Sequence, residues 1–131
     1  DFLEEFEQYL LSNHLLDKAI EEDARSFMQK ALEHMQEGLE FYYLEEYEIA
    51  LESYLKVIQL VPNFSIGHVR LGSIYYRMGD LDNAKKSWEK ALELDPTNES
   101  LKLFLNRIFP PNYKDIPPEQ VNQDIDLPLE V

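Results

Sequence analysis

Residues 68–96 read HVRLGSIYYRMGDLDNAKKSWEKALELDP, and several Gly, Ala, Pro and aromatic positions of this stretch have a residue of the same kind 34 positions earlier. Five pairs carry the recurrence: Gly38 and Gly72, Phe41 and Tyr75, Ala50 and Ala84, Tyr54 and Trp88, and Pro62 and Pro96. A period of this length is typical of a unit of two antiparallel helices, which buries its apolar face only by stacking on a neighbour. The sequence therefore predicts an all-α chain built from helix pairs, and it points to binding rather than to a reaction.

Both copies resemble the tetratricopeptide repeat. The later copy reads His68-x2-Leu71-Gly72-x2-Tyr75, followed by Ala84-x3-Trp88, Ala91 and Pro96, and the earlier copy reads His34-x2-Glu37-Gly38-x2-Phe41, followed by Ala50-x3-Tyr54, Val57 and Pro62. The earlier copy departs from the pattern at Glu37, where an aliphatic residue is usual. The resemblance spans residues 31–98 and implies a right-handed α-solenoid of antiparallel helix pairs, with about six helices and an extended C-terminal tail.

The matched residues have packing roles that follow from their size and shape. Gly38 and Gly72 are expected where the two helices of one repeat cross, because a residue without a side chain lets the backbones approach. Aromatic residues fill the space around each crossing, and a proline ends each second helix, since the residue before it disfavours the α conformation. The predicted packing set is Gly38, Phe41, Ala50, Tyr54, Pro62, Leu71, Gly72, Tyr75, Ala84, Trp88, Ala91 and Pro96.

We expect a single structural domain made of five segments. They are an N-terminal helical region over 1–30, a first repeat over 31–64, a second repeat over 65–98, a capping helix over 99–109 and a proline-rich acidic tail over 110–131.

Hydrophobic periodicity divides the N-terminal part into two helices, over about 2–22 and about 25–44. The segment from Leu16 to Asp23 resembles the close of a second repeat helix, so we interpret 1–30 as a degenerate repeat. Further along, Gly79 is expected to end one helix and Asp80 to cap the next.

The net charge of −14 is unevenly distributed. Residues 1–64 hold 15 acids and 4 bases, residues 65–109 hold 6 acids and 7 bases, and the tail holds 5 acids and 1 base. Such a charge repels phosphate groups, so nucleic acid and anionic membrane are poor candidates as partners, and we expect neither nucleic-acid binding nor direct membrane insertion. The acids either decorate solvated helix faces or attract a basic partner.

Compartment and processing stay open at this point. The chain has no Cys, which suits reducing and oxidising surroundings alike. Its first residue is Asp1 rather than Met, which indicates a trimmed or processed chain. We favour a cytoplasmic location, with an exported form as the alternative.

Proteins of the tetratricopeptide repeat family usually bind on the surface that the first helix of each repeat lines. By position, that surface consists of Leu32, Met35, Gln36, Leu39, Tyr42, Tyr43, Ile66, Val69, Arg70, Ser73, Tyr76 and Arg77. Some relatives hold a peptide carboxylate there with Lys and Asn, but Met35, Leu39, Val69 and Ser73 occupy the corresponding places. The resemblance therefore implies an apolar groove that binds a hydrophobic peptide or helix of a partner protein.

An alternative is that the chain covers its own groove or that of another copy. The tail contains apolar residues that alternate with acids, namely Ile116, Val121, Ile125, Leu127, Leu129 and Val131. Basic residues able to receive those acids are Arg70, Arg77, Lys85 and Lys86. Large exposed apolar patches are rare on monomers, so tail docking and self-assembly both stand as hypotheses.

Catalysis, cofactors and metals have little support in the sequence. The three histidines are His14, His34 and His68, and neither a Gly-rich phosphate loop nor an HExxH spacing accompanies them. His34 and His68 occupy a position that the family uses for packing between helices. We expect no enzyme activity and no cofactor, and the alternative is a metal- or small-ligand-binding helical domain.

Overall fold

Helix pairs make up the described part of the chain. The computed structural model describes residues 1–117, 120 and 125–127, and these contain α-helices, one short 3₁₀ helix and no strand. The helices are α1 (Phe2–Tyr43), α2 (Tyr47–Leu60), α3 (Ser65–Arg77), α4 (Leu81–Leu94) and α5 (Glu99–Ile108). The main packing pairs are α1 with α2 and α3 with α4, joined through α2 and α3. The prediction of an all-α solenoid is confirmed.

The first helix differs from the prediction. Two helices separated near residues 23–24 were expected, but α1 is one helix of 42 residues. The segment Glu21-Glu22-Asp23-Ala24-Arg25 contains neither Pro nor Gly, and Glu21 stands four positions before Arg25, an arrangement that stabilises helix. Nothing local therefore interrupts the hydrogen-bond ladder, and the helix count falls from about six to five.

Turn chemistry separates α3 from α4. Gly79 adopts φ +84°, a left-handed conformation that glycine reaches at little cost. Asp80 then caps α4, because its carboxylate accepts from the backbone N–H of Asn83 at 3.2 Å. The predictions for Gly79 and Asp80 are confirmed.

The corresponding turn between α1 and α2 is made from less suitable residues. Glu45, which stands 34 positions before Gly79, adopts φ +61°, where a side chain costs energy. Glu46 stands 34 positions before Asp80, but its side chain makes no capping hydrogen bond.

The core consists of two clusters, one for each repeat. The first contains Ala31, Met35, Tyr42, Ala50, Tyr54, Val57, Leu71 and Ile74. The second contains Val69, Tyr76, Ala84, Trp88, Ala91 and Leu101. Since Leu71 and Ile74 of α3 belong to the first cluster and Val69 and Tyr76 to the second, α3 connects the two repeats.

Two glycines mark the close helix crossings. A Cβ on Gly38 of α1 would lie 2.6 Å from Cε2 of Tyr54 on α2. A Cβ on Gly72 of α3 would overlap the indole ring of Trp88 on α4. Each aromatic ring therefore fills the space that a side chain on the facing helix would need.

The N-terminal part of α1 lies outside both clusters. Every residue from Asp1 to Lys30 is exposed, and the first buried residue of the helix is Ala31. At 1.5 Å per residue this segment extends about 45 Å. Along the residues that the structure describes, no helix has the length and hydropathy needed to cross a bilayer.

The described part of the tail is not extended throughout. Tyr113–Asp115 form one turn of 3₁₀ helix, which corrects the expectation of an extended segment from Pro110 onward. Asn112, Tyr113 and Lys114 follow the Pro110-Pro111 pair and are compatible with such a turn. Of the apolar tail residues, Val121, Leu129 and Val131 lie outside the described residues.

Candidate partner-binding surface

The predicted groove residues of α1 divide into buried and exposed side chains. Met35 and Tyr42 are 7% and 6% exposed and belong to the first core cluster. Leu39 is half-buried, and the remaining three are exposed, namely Leu32, Gln36 and Tyr43.

The groove residues of α3 divide in a similar way. Val69, Ser73 and Tyr76 are buried, and Ser73 Oγ donates to the Val69 carbonyl at 3.3 Å. Ile66, Arg70 and Arg77 are half-buried. The side chains that reach solvent are therefore Leu32, Gln36, Leu39 and Tyr43 of α1 with Ile66, Arg70 and Arg77 of α3, and we call this set the α1–α3 surface.

Tyrosine hydroxyls hold both arginines of the α1–α3 surface. Arg70 Nη1 donates to the Tyr54 hydroxyl at 3.3 Å, and that hydroxyl donates to the Met35 carbonyl at 3.2 Å. Arg77 Nε donates to the Tyr42 hydroxyl at 3.1 Å. Because Tyr42 lies on α1 and Tyr54 on α2, these bonds tie α3 to the first helix pair and orient its positive charges.

Burial also fixes the protonation of these hydroxyls. Desolvation raises the pKa of Tyr42 above its usual value of 10.0, and the hydrogen bond and charge of Arg77 only partly oppose this. Desolvation likewise raises the pKa of Tyr54, against the opposing charge of Arg70. Both hydroxyls therefore remain protonated at neutral pH and serve as hydrogen-bonding groups.

The tail contacts the C-terminal end of α3, where Arg77 lies. Arg77 Nη2 donates to the main-chain carbonyl of Ile125 at 3.0 Å. The side chains of Ile125 and Leu127 pack against the second core cluster. A cavity of about 640 Å³ lies beside this contact. Its lining includes Tyr76, Phe109, Tyr113 and Ile125.

Two aromatic residues of this region were missed by the sequence reasoning. The rings of Phe109 and Tyr113 pack edge to face with centroids 5.0 Å apart. Phe109 also lies 6.0 Å from Trp88, and Lys85 Nζ lies 4.8 Å from the Tyr113 ring centre. The available signal was the pair of aromatic residues on either side of Pro110-Pro111, because such residues are suited to anchoring a chain that leaves a helix.

The three histidines lie in different surroundings. His68 Nε2 lies 2.9 Å from the Pro62 carbonyl and donates to it. His34 Nδ1 lies 3.7 Å from Glu37 Oε2, and His14 is exposed. Within residues 1–117, 120 and 125–127, no three His, Asp or Glu side chains gather into a cluster suited to a metal ion.

Comparison with known proteins gives consistent results. Residues 65–98 match the family model of the tetratricopeptide repeat, and residues 38–79 match a second model described as TPR repeat. Among relatives, the heat shock protein STI1 of Saccharomyces cerevisiae is 35% identical over 65 residues, which cover 50% of this chain and 11% of that protein. The Hsp70-Hsp90 organizing protein of Triticum aestivum is 39% identical over 62 residues, covering 47% and 11%.

The repeats also occur beside a different activity. The protein O-mannosyl-transferase TMTC4 of Mus musculus is 37% identical over 65 residues, which cover 47% of this chain and 9% of that protein. The chain thus matches only about a tenth of the length of these relatives. Residues 38–98 therefore contain tetratricopeptide repeats, and their similarity to the organizing proteins supports a role as a protein–protein interaction module.

Proposed function

We propose that the chain binds an extended peptide or a helix of a partner protein through the α1–α3 surface, by apolar contacts and without catalysing a reaction. The surface combines the apolar side chains of Leu32, Leu39 and Ile66 with two oriented arginines. Such a combination suits a ligand with spaced apolar side chains and accessible main-chain carbonyls.

The contact between Arg77 and the Ile125 carbonyl carries this proposal. A main-chain carbonyl is present in every peptide, so a partner segment offers Arg77 the same acceptor. Ile125 and Leu127 add apolar side chains two residues apart. The tail thereby supplies a model for the chemistry of the ligand and also competes with it.

The nature of the partner follows from charge and from the absence of a clamp. Residues 1–64 carry 15 acids and 4 bases, which favours basic residues on the part of a partner that lies beside α1, whereas Arg70 and Arg77 of α3 suit carbonyl and acidic groups. The relatives named as Hsp70-Hsp90 organizing proteins make chaperones candidate partners. Since Met35 and Leu39 stand where a carboxylate clamp requires polar groups, we propose that recognition does not need a terminal carboxylate.

A synthetic peptide with the sequence of residues 119–131 tests this proposal. It is titrated, as the acid and as the C-terminal amide, into the chain that lacks residues 111–131 and into the full chain. We expect saturable binding to the shortened chain, similar for both peptides. Binding to the full chain is expected to be at least about tenfold weaker, because a tethered competitor acts at a high effective concentration.

Variants of the shortened chain then locate the binding surface. Arg77→Ala and Leu39→Glu are expected to weaken binding at least about fivefold, because they remove the donor or place a charge on the apolar surface. Arg25→Ala is the matched control, since Arg25 is exposed on the N-terminal part of α1. Charged substitutions at Met35 or Tyr76 are unsuitable, because both side chains are buried.

Two outcomes contradict the proposal. One is the absence of binding to the shortened chain. The other is equal binding by the shortened chain and its Arg77→Ala variant, with unchanged helicity by circular dichroism. Assembly of the full chain into oligomers that dissociate when residues 111–131 are removed would instead support exchange of the tail between copies.

A further inference from the structure

The N-terminal part of α1 has an apolar stripe that no described residue covers. Two rows of residues form it, each with a spacing of seven. One row is Leu3, Leu10, Asp17 and Ala24, and the other is Phe6, Asn13, Ile20 and Phe27. Steps of three and four residues between the rows keep them on one face of a helix, as in a coiled coil. We call these eight residues the α1 stripe.

The stripe continues the face by which α1 builds the repeat. The next residue of the first row is Ala31, which is fully buried in the first core cluster. The same helix face is therefore covered by α2 and α3 from Ala31 onward and is uncovered before it. The packing of other helices on this face of α1 therefore begins at Ala31 and does not extend to the N-terminal part.

The exposed area is large enough for a stable interface. Five large apolar side chains of the stripe and three beside it are 49% to 75% exposed. The three beside it are Phe2, Tyr9 and Leu16. With about 100 Å² exposed on each, the face offers about 800 Å² per copy, which equals the area per partner of an interface of standard size.

We propose that a second copy of this chain covers the α1 stripe as an antiparallel helix pair. In the register that we infer, the residue numbers of facing residues add up to 30. Leu3 then faces Phe27 of the second copy, Phe6 faces Ala24, and Leu10 faces Ile20. The two polar positions, Asn13 and Asp17, also face each other, so an amide N–H donates to a carboxylate.

Complementarity selects this register and direction. Each apolar residue of the stripe meets an apolar residue, and the large Phe6 meets the small Ala24. A parallel, in-register pair would instead place Asp17 against Asp17, and the two carboxylates would repel each other. It would also place Ala24 against Ala24 and leave a void.

The salt dependence of binding distinguishes a second copy of this chain from a basic partner helix. Residues 1–30 carry eight acids and three bases, so two copies repel each other outside the apolar seam. Salt screens this repulsion, and self-association is expected to strengthen with ionic strength. Binding of a basic helix at the same face would weaken with salt. The described tail residues Ile125 and Leu127 contact the second core cluster instead.

Sedimentation equilibrium of the full chain provides the first test, over protein concentrations from about 1 µM to about 1 mM. We expect a monomer–dimer equilibrium that tightens about threefold or more between low and high salt. The double variant Leu10→Glu and Ile20→Glu is expected to raise the dissociation constant at least about tenfold. The double variant Leu11→Glu and Leu15→Glu is the matched control, because these leucines are equally exposed but lie on the opposite side of the helix.

Cysteine cross-linking tests direction and register. The chain contains no Cys, so single substitutions report only on the introduced thiols. Mixing Leu3→Cys and Phe27→Cys chains under mild oxidation is expected to give mainly the mixed disulfide. Each variant alone is expected to give little covalent dimer, because residues 3 and 3 lie at opposite ends of the antiparallel pair.

The proposal is overturned if the chain stays monomeric at every concentration and salt level, or if Leu10→Glu with Ile20→Glu dimerises as well as the control. Efficient disulfide formation by Leu3→Cys alone would overturn the antiparallel arrangement. These outcomes are independent of the peptide titrations, because the α1 stripe and the α1–α3 surface share no residue.

Discussion

Gly72 shows how one residue type controls a helix crossing. Its missing side chain makes room for the indole of Trp88, whose Nε1–H donates to the Val69 carbonyl at 2.8 Å. Gly67 lies on the same helix, but a Cβ there would be 3.4 Å from Ile58 and in ordinary contact. The 34-residue recurrence predicted a close helix crossing at Gly72 but did not predict that Gly67 has room for a side chain. The space beside each glycine depends on the side chains of the facing helix.

We predict that Gly72→Ala lowers the free energy of unfolding by about 2 to 3 kcal/mol, because the added methyl group forces Trp88 out of its position. Gly67→Ala is the control and is expected to be neutral or stabilising by up to about 1 kcal/mol, since alanine is the better helix former. Urea denaturation followed by circular dichroism measures both. Equal effects of the two substitutions would contradict the crossing geometry.

The buried tyrosines give a second prediction, for alkaline pH. The pKa of Tyr54 is raised in the folded chain, so ionisation is easier in the unfolded chain. The stabilising contribution of Tyr54 is therefore fully present below about pH 10 and is lost as the pH rises above that value.

Urea midpoints between about pH 8 and about pH 11 measure this loss. Tyr54→Phe is expected to be less stable at neutral pH by about 1 to 2 kcal/mol, because the buried hydrogen bond from the hydroxyl to the Met35 carbonyl is lost, and to lose less stability at alkaline pH. Tyr9→Phe, at an exposed position outside both core clusters, is expected to keep the parent profile. A steeper alkaline loss in Tyr54→Phe would refute the assignment.

At the scale of elements, the two turns within the repeats differ although the repeats are related. The turn before α4 uses Gly79 and Asp80, whereas the turn before α2 uses Glu45 in a left-handed conformation and Glu46 without a capping bond. The ends of α2 and α4 shortly before Pro62 and Pro96, and the turn at Gly79 and Asp80, lie where the sequence predicted them, because prolines, glycine and caps mark such positions. The continuity of α1 was missed because its apolar pattern fits one helix or two.

We therefore predict that Glu46→Asp stabilises the chain by about 0.5 to 1.5 kcal/mol, because a shorter carboxylate can accept from the first turn of α2 as Asp80 does for α4. Asp80→Ala is expected to destabilise by a similar amount, about 1 kcal/mol. Thermal unfolding of both variants measures the effect. If Glu46→Asp were destabilising, the two turns would not be equivalent.

At the scale of the whole molecule, the repeats are held by two clusters that share α3, and the N-terminal part of α1 contributes to neither. Stability is thus concentrated in residues 31–109. We predict that removing residues 1–24 changes the free energy of unfolding by less than about 1 kcal/mol, measured at a protein concentration low enough to keep the chain monomeric. A loss above about 2 kcal/mol would show that this segment packs on the repeats.

The recurrence of Gly, Ala, aromatic and Pro residues by itself predicted the repeat type, the all-α fold and the helix pairs, because these residues either pack between helices adjacent in sequence or end a helix. Only the tertiary structure decided which predicted groove residues reach solvent, since the burial of Met35, Val69, Ser73 and Tyr76 depends on helices packed from both sides. It also decided that the α1 stripe is uncovered. An amphipathic pattern predicts that one face of a helix is apolar, and only the folded structure shows whether other helices of the same chain cover that face.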